Sequence, residues 1–244
     1  MSIISKFWAV LMLIAAVLAG CTSTPDATKE AQPTESAHHY YLNDISGSTA
    51  TQIDPVVVQA VDRFIGDDMA NTVQLGDSVI VFDTGAAAAE RMVARVSLIT
   101  DYGLRVPAAK AKVMAAIRAS AARFQKEGGD SGTNLIQSLE AIRPKCSPRS
   151  TVTLITDGME ESSRYSTSGA LNAGQAVNLP PPSNSKLLAG CKIRFVGFGL
   201  TADSTSSKAQ LLPAKHLAML ELGWMRFLTQ SGVRPEDVEF VSTL

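Results

Sequence analysis

The chain has 244 residues, with 22 Lys and Arg against 23 Asp and Glu and a formal net charge of −1. That balance, with no basic run and no interleaving of basic and aromatic residues, excludes the electrostatic footprint of a nucleic-acid-binding protein. Once an export signal is set aside, about 220 residues remain, which suits one sizeable α/β domain.

Residues 1–6 carry a single side-chain positive charge, and residues 7–19 are almost wholly apolar. The run has the length of a signal-peptide apolar region and is short for a membrane span. It ends in Leu18-Ala19-Gly20-Cys21. This resembles the bacterial lipoprotein signal, in which small residues precede a cysteine that is lipidated on its thiol and becomes the new N-terminus. An ordinary cleaved signal with a chance cysteine is the alternative. Thr22 follows Cys21 where Asp would be the inner-membrane retention cue. The resemblance therefore implies the outer membrane of a Gram-negative cell, with acyl chains as a stable anchor. Residues 22–39 are rich in Thr, Ser, Pro, Ala, Glu and Gln and poor in large apolar residues. They read as a flexible tether, because they cannot bury enough surface to offset their ordering entropy. His38 and His39 could be a metal pair, but no third ligand stands near them in the sequence.

Residues 40–42, with Asn43 at the limit, read as a short strand leading into Asp44. Ser48 and Thr49 could cap a helix that starts at residue 53 or 54 and runs to 70. Val57, Val61, Phe64, Ile65 and Met69 recur there at helical spacing. Leu75-Gly76-Asp77 turns into residues 78–82, a continuous apolar run that fits a strand covered on both faces. Residues 85–89 form a loop of small residues, and 91–99 read as an edge strand. Pro107 suits the first position of a helix with Val113, Met114, Ile117, Ala121 and Phe124 as its apolar stripe. That helix stops at Gly128-Gly129. A polar loop, residues 130–134, precedes a short helix over 135–142 that Pro144 closes. Residues 151–156 are the clearest strand and run straight into Asp157-Gly158. Residues 159–186 are irregular and contain Pro180-Pro181-Pro182; a segment of that length is usually functional or mobile. Residues 192–198 form a strand. Residues 211–229 form a long helix with Leu212, Leu217, Leu220, Trp224 and Phe227 near one face. Residues 238–241 close the sheet.

Alternating strands and helices predict a largely parallel sheet with helices on both faces. Ligands bind such sheets beyond the carboxyl ends of the strands. Asp44 and Asp157 both stand there. Asp44, Ser46 and Ser48 offer three oxygens on one tight loop, and a spacing of two aims alternate side chains of an extended segment the same way. Gly47 permits the bend. Thr133 adds a hydroxyl from a second loop and Asp157 a carboxylate from a third. Such oxygens suit a hard cation, Mg²⁺ or Mn²⁺, which commonly keeps some water. One position would stay open for water or a partner's carboxylate.

Asp44-Ile45-Ser46-Gly47-Ser48, Gly132-Thr133-Asn134 and Thr156-Asp157-Gly158 resemble the three parts of the metal-ion-dependent adhesion site of von Willebrand factor type A domains. The first part alone is a weak signal; all three in order make a strong one. The resemblance covers residues 40–241. It implies an α/β, Rossmann-like three-layer sandwich, a mostly parallel central sheet with one antiparallel edge strand at residues 95–99. It also implies direct ligation by the Ser and Thr hydroxyls, with the two Asp residues often acting through water. Residues 159–186 depart from the family pattern, being longer and richer in proline. The chain has three cysteines. If Cys21 carries lipid, Cys146 and Cys191 are left, either as two free thiols or as a disulfide in an oxidising compartment. In the resembled family the strands that follow them are neighbours, which favours a Cys146–Cys191 bridge at the rim opposite the metal.

Simpler roles compete. Asp44 could be a turn acid or helix cap, Thr133 a helix N-cap and Asp157 a strand-end turn. Glu160 and Glu161 could act as a base or second cation ligand, or be solvated rim charges. Gly76-Asp77-Ser78 is similar to a hydrolase serine motif. The only histidines are His38, His39 and His216, and no nucleophile–base pair is defensible from sequence. The expected function is a lipid-anchored, divalent-cation-dependent module that binds an Asp or Glu carboxylate of a protein partner in the cell envelope, and not an enzyme. A metal-dependent hydrolase using the same cation as a Lewis acid is the runner-up.

Overall fold

Strand-forming and helix-forming stretches alternate along the chain, and the alternation produces one six-stranded sheet flanked by helices. The structure, a computed structural model, describes residues 35–85, 91–97, 106–127, 131–202 and 208–242. The signal, Cys21 and the tether up to residue 34 lie outside the described residues. So do loop residues 86–89, positions 98 and 99 of the predicted edge strand, and Gly128-Gly129. The strands are β1 (His38–Asp44), β2 (Ser78–Thr84), β3 (Arg91–Ser97), β4 (Thr151–Ile155), β5 (Lys192–Val196), β6 (Leu200–Ala202), β7 (Ala209–Leu211) and β8 (Val238–Val241). The helices are α1 (Ala50–Ile53), α2 (Pro55–Thr72), α3 (Val106–Glu127), α4 (Leu135–Ile142), α5 (Thr167–Asn172) and α6 (Ala214–Gln230). The sheet order is β3-β2-β1-β4-β5-β8, and β6 pairs with β7 as a separate hairpin. All pairings in the large sheet are parallel except that of the edge strand β3 with β2. The expected α/β architecture with one antiparallel edge is therefore present.

β1 is central and covered on both faces, so its side chains serve two cores. Tyr40 and Leu42 pack with Leu135, Ile136 and Leu139 of α4 and with Leu220, Trp224 and Phe227 of α6. Tyr41 points the other way and packs with Val61, Ile65 and Met69 of α2 and with Val113 and Ile117 of α3. This two-sided burial is what an apolar run without alternation signals.

The boundaries differ from expectation where polar or short elements carry the structure. β1 begins at His38, so the last two residues of the predicted tether belong to the sheet. His39 is buried, its Nδ1 3.0 Å from Thr151 Oγ1 and its Nε2 3.2 Å from Asp77 Oδ2. His38 Nδ1 instead meets Ser78 Oγ at 2.6 Å. Neighbouring strand residues face opposite sides, so the two imidazoles do not form a metal pair. The first predicted helix starts at Pro55, where the missing N–H costs nothing, and a separate short helix, α1, which was not expected, precedes it. Asp54 caps α2 there by accepting from Val56 N at 2.9 Å. The predicted strand over 192–198 stops at Val196 because Gly197, at φ +86, turns the chain. The predicted helix over 211–229 starts three residues later, because 209–211 are drawn into the hairpin with β6. Three-residue strands carry no readable periodicity. Residues 159–186 contain the short helix α5; Met159, Leu171 and Val177 are buried against the α6 side of the core, while most of residues 172–186 are exposed. Leu187 and Leu188, just beyond the segment, are buried there too, and Leu188 N donates to Ser231 O at 3.0 Å.

At the rim where the strands begin, Cys146 and Cys191 form a disulfide across a sequence separation of 45. A crosslink closing a loop of that length removes about 4 kcal/mol of unfolded-chain entropy on the loop-closure account. The double variant Cys146→Ser/Cys191→Ser is expected to lose about 2–4 kcal/mol in urea unfolding. An unchanged midpoint would show that the bridge constrains nothing.

Candidate metal centre

β1 ends at Asp44, a fully buried carboxylate at the rim where the parallel strands finish. Its Oδ1 accepts from Ser46 N at 2.9 Å, which bends the loop back at once. Its Oδ2 accepts from Thr156 Oγ1 at 2.7 Å, at the end of β4. Ser46 Oγ lies 2.9 Å from Thr49 Oγ1 and 3.5 Å from Ser48 Oγ. The alternate hydroxyls of the loop thus lie side by side, with Ser48 half-buried and Gly47 exposed. Ser48 O also accepts from Ala202 N at 2.7 Å, so the β6–β7 hairpin buttresses the loop.

Asp157 follows β4 and is likewise fully buried. Its Oδ1 accepts from Met159 N at 2.9 Å, and its Oδ2 has no protein partner. Burial pushes this carboxyl up, and the Asp44 charge adds to it, so that its pKa reaches about 8. Burial also raises Asp44, against the opposing pull of the Thr156 hydroxyl and the Ser46 amide. Two carboxyls are therefore held at one dry rim without enough positive charge around them.

Thr133 is fully buried and its Oγ1 also has no protein partner. Its loop is tied to the Asp157 loop: Thr133 N donates to Glu161 O and Glu161 N to Thr133 O, both at 2.9 Å. The Thr133 hydroxyl does not cap α4. Asn134 holds the N-cap position without a side-chain capping bond, and Glu160 Oε2 accepts from Ile136 N at 3.2 Å. Glu160 is thus a buried cap for a helix of another segment, not a solvated rim charge. Burial pushes its carboxyl to about 7 against the pull of the Ser162 hydroxyl and the α4 amides. Glu161 accepts from Ser168 N at 2.6 Å and Ser166 Oγ at 2.8 Å, at the start of α5. Both acids are engaged in holding loops.

Among the described residues no group of three or more His, Cys, Asp or Glu side chains is placed to hold a metal. A cation at this rim would rest on two carboxylates and on the Ser46, Ser48 and Thr133 hydroxyls, a hard-oxygen set that suits Mg²⁺ or Mn²⁺. The orphaned oxygens of Thr133 and Asp157 fit that reading, since buried polar atoms normally find a partner. Thr156 and Thr49, which steady Asp44 and Ser46, were not singled out as site residues in the sequence; both adjoin residues that were.

Gly158 fixes the backbone behind Asp157. Its φ is +81, and a Cβ there would lie 2.6 Å from Phe198 Cε2. Its carbonyl accepts from Trp224 Nε1 of α6 at 2.7 Å. Gly158→Ala is expected to cost about 2–4 kcal/mol through left-handed strain and overpacking, read as a lowered urea midpoint.

The serine of Gly76-Asp77-Ser78 does meet an imidazole, that of His38. Asp77 beside it is committed to His39 and Arg149, and the contact joins the starts of β1 and β2, at the rim opposite Asp44. His216 lies within the first turn of α6.

No protein-family model and no curated protein matches the chain. Among solved structures the chain is similar to an aerotolerance-related membrane protein from Bacteroides fragilis NCTC 9343. The identity is 12% and the TM-score 0.42, over 85% of this chain and 92% of that one. It is also similar to the conserved hypothetical protein BatB from Bacteroides thetaiotaomicron, with 13% identity and a TM-score of 0.44, over 84% of this chain and 89% of that one.

Proposed function

We propose that this chain is a lipid-anchored, divalent-cation-dependent protein-binding module of the bacterial cell envelope. The observation that carries the reading is the pair of buried, unpartnered oxygens, Thr133 Oγ1 and Asp157 Oδ2; Thr156 ties the Asp157 loop to Asp44, and Glu161 ties the Thr133 loop to the Asp157 loop. Ser46, Ser48, Thr133, Asp44 and Asp157 would hold Mg²⁺ or Mn²⁺, and the bound ion would offer a vacant position to an Asp or Glu oxygen of a protein partner. Thr156 and Thr49 keep Asp44 and Ser46 in place, and Gly158 with Trp224 holds the Asp157 turn against α6. The resemblance of the three sequence segments to a metal-ion-dependent adhesion site supports the same assignment. Lipidation of Cys21, and through it the outer membrane, rests on the Leu18-Ala19-Gly20-Cys21 segment.

Calorimetric titration of Mg²⁺ and Mn²⁺ into the purified chain tests the centre. Saturable binding that is lost in Asp44→Ala is expected; no heat would leave a structural lipoprotein with a dead site. Cross-linking in intact cells with and without chelator then tests the partner, whose capture should require the cation. Metal-dependent turnover of generic phosphate or ester substrates, lost in the same variant, would replace the binding role by hydrolysis.

A further inference from the structure

Two segments at the rim where the strands begin, residues 143–150 and 186–192, carry positive charge only; neither contains Asp or Glu. The Cys146–Cys191 bridge holds them together, with 4.7 Å between its two Cα atoms. Lys145 and Lys192 flank the bridged cysteines, and Lys186 opens the second segment. All three lysines are exposed, and none forms an ion pair among the described residues. The acids that line the neighbouring cleft are committed to arginines instead: Glu239 to Arg194, and Glu236 and Asp237 to Arg234. The lysines are therefore unbalanced charge. Leu75, in the turn that leads into β2 on the same rim, is 56% exposed. Basic side chains with an exposed apolar one are what a membrane-surface contact uses.

The chain also enters the sheet here, since β1 begins at His38. Burial lowers the His38 pKa, and the charges of Lys145 and Arg95 lower it further, which places both beside the entry. Cys21 precedes His38 by 17 residues, a span of at most about 60 Å. On the sequence reading of that stretch as a tether, its typical span is about 20–25 Å.

We propose that this rim rests on the anionic phospholipid headgroups of the membrane that holds acylated Cys21, with Lys145, Lys186 and Lys192 against phosphates and Leu75 entering the headgroup layer. The proposal rests on the lipid-anchor reading above. Opposite charge and a short connection to the acyl chains both favour the contact, as a basic patch does beside any lipid anchor. In that pose the rim of Asp44 and Asp157, at the other end of the strands, faces away from the membrane, where a partner can reach it.

Amine labelling of the chain purified from membranes, read residue by residue in a mass spectrometer, tests this. The protein is reconstituted in vesicles of phosphatidylcholine, with or without phosphatidylglycerol. Lys215, exposed at the start of α6, is the internal reference. Leu212 N donates to Gly199 O and Gly199 N to Asp157 O, which ties that end of α6 to the cation rim. With phosphatidylglycerol present, Lys145, Lys186 and Lys192 should label roughly fivefold more slowly relative to Lys215 than without it. High salt should remove the difference. Lys145→Glu/Lys192→Glu, at two exposed positions, should leave the thermal melt intact and abolish the protection of Lys186. Equal labelling on the two kinds of vesicle, or protection of Lys186 that survives in the folded double variant, would overturn the proposal. Protection in intact cells without protection on vesicles would assign the rim to another envelope component and overturn it too. An unacylated Cys21 in the same spectra would remove the lipid-anchor reading and this proposal together. An acylated chain with equally labelled lysines would remove this one alone.

Discussion

Asp157→Asn is expected to stabilise the chelated protein and, in the same variant, to abolish the stabilisation by Mg²⁺ that the proposed site predicts for the wild type. Without a cation, burial and Asp44 lift the Asp157 pKa from 3.8 to about 8. The folded protein therefore binds a proton that the unfolded chain has released, and stability falls as pH rises through that window. Each unit of upward shift costs roughly 1.4 kcal/mol, so the neutral amide should gain about 2–4 kcal/mol near pH 8 and little near pH 4. With the cation the sign reverses. A ligand at about 100 times its dissociation constant stabilises the wild type by about 2.7 kcal/mol. The amide loses a charged ligand, which costs affinity beyond the roughly 10–100-fold that losing an outer partner costs. Urea melts at two pH values, with Mg²⁺ or with chelator, read both arms. A variant destabilised in chelator that still responds to Mg²⁺ would place the ion elsewhere.

Asp77→Ala is expected to be the most damaging single change outside the apolar core. The carboxylate is fully buried and accepts from Ala37 N at 2.9 Å, Gln74 N at 2.8 Å, His39 Nε2 at 3.2 Å and Arg149 Nη2 at 2.7 Å. It ties together the starts of β1, β2 and β4. Removing it strands two amides and a buried imidazole, at a cost of about 3–5 kcal/mol. The same knot predicts acid lability. Burial holds the His39 pKa below 6.5, although Asp77 opposes the shift. Burial would raise Asp77, but the Ala37 and Gln74 amides and His39 outweigh it, so its pKa lies below 3.8. Both groups bind fewer protons folded than unfolded. Their contribution to stability is therefore lost as pH falls below 6.5 and again below 3.8. The raised carboxyls Asp157, Glu160 and Asp44 contribute with the opposite sign, so the profile of the wild type should be compared with that of His39→Gln, in which those contributions cancel. Parallel profiles from pH 7 to 5 would show that His39 does not titrate with folding.

The sheet was legible because most of its strands carry apolar runs bounded by turn residues, and Asp44 and Asp157 were legible because each stands at the end of such a run. Even the antiparallel edge at β3 and the pairing of Cys146 with Cys191 could be expected once a fold was in view. What escaped was polar or irregular. His38 and His39 read as tether because imidazoles look hydrophilic, yet hydrogen bonds to Ser78, Thr151 and Asp77 satisfy them in the sheet. Glu160 read as a rim charge because its partner amide in α4 is 24 residues away. The buried Val177 sits in a segment with no period, and Leu187 and Leu188 directly follow it, so nothing in their spacing announced that they pack on the α6 side of the core.

The bridged loop from Cys146 to Cys191 contains β4, Asp157, Gly158 and the whole irregular segment, and both of its ends lie just before strands of the sheet. A batch made in a reducing cytoplasm would carry the same side chains on unstapled strands. Recombinant material exported to an oxidising space and material purified from cytosol should be handled as two different samples, and a failed titration on the second says nothing about the first.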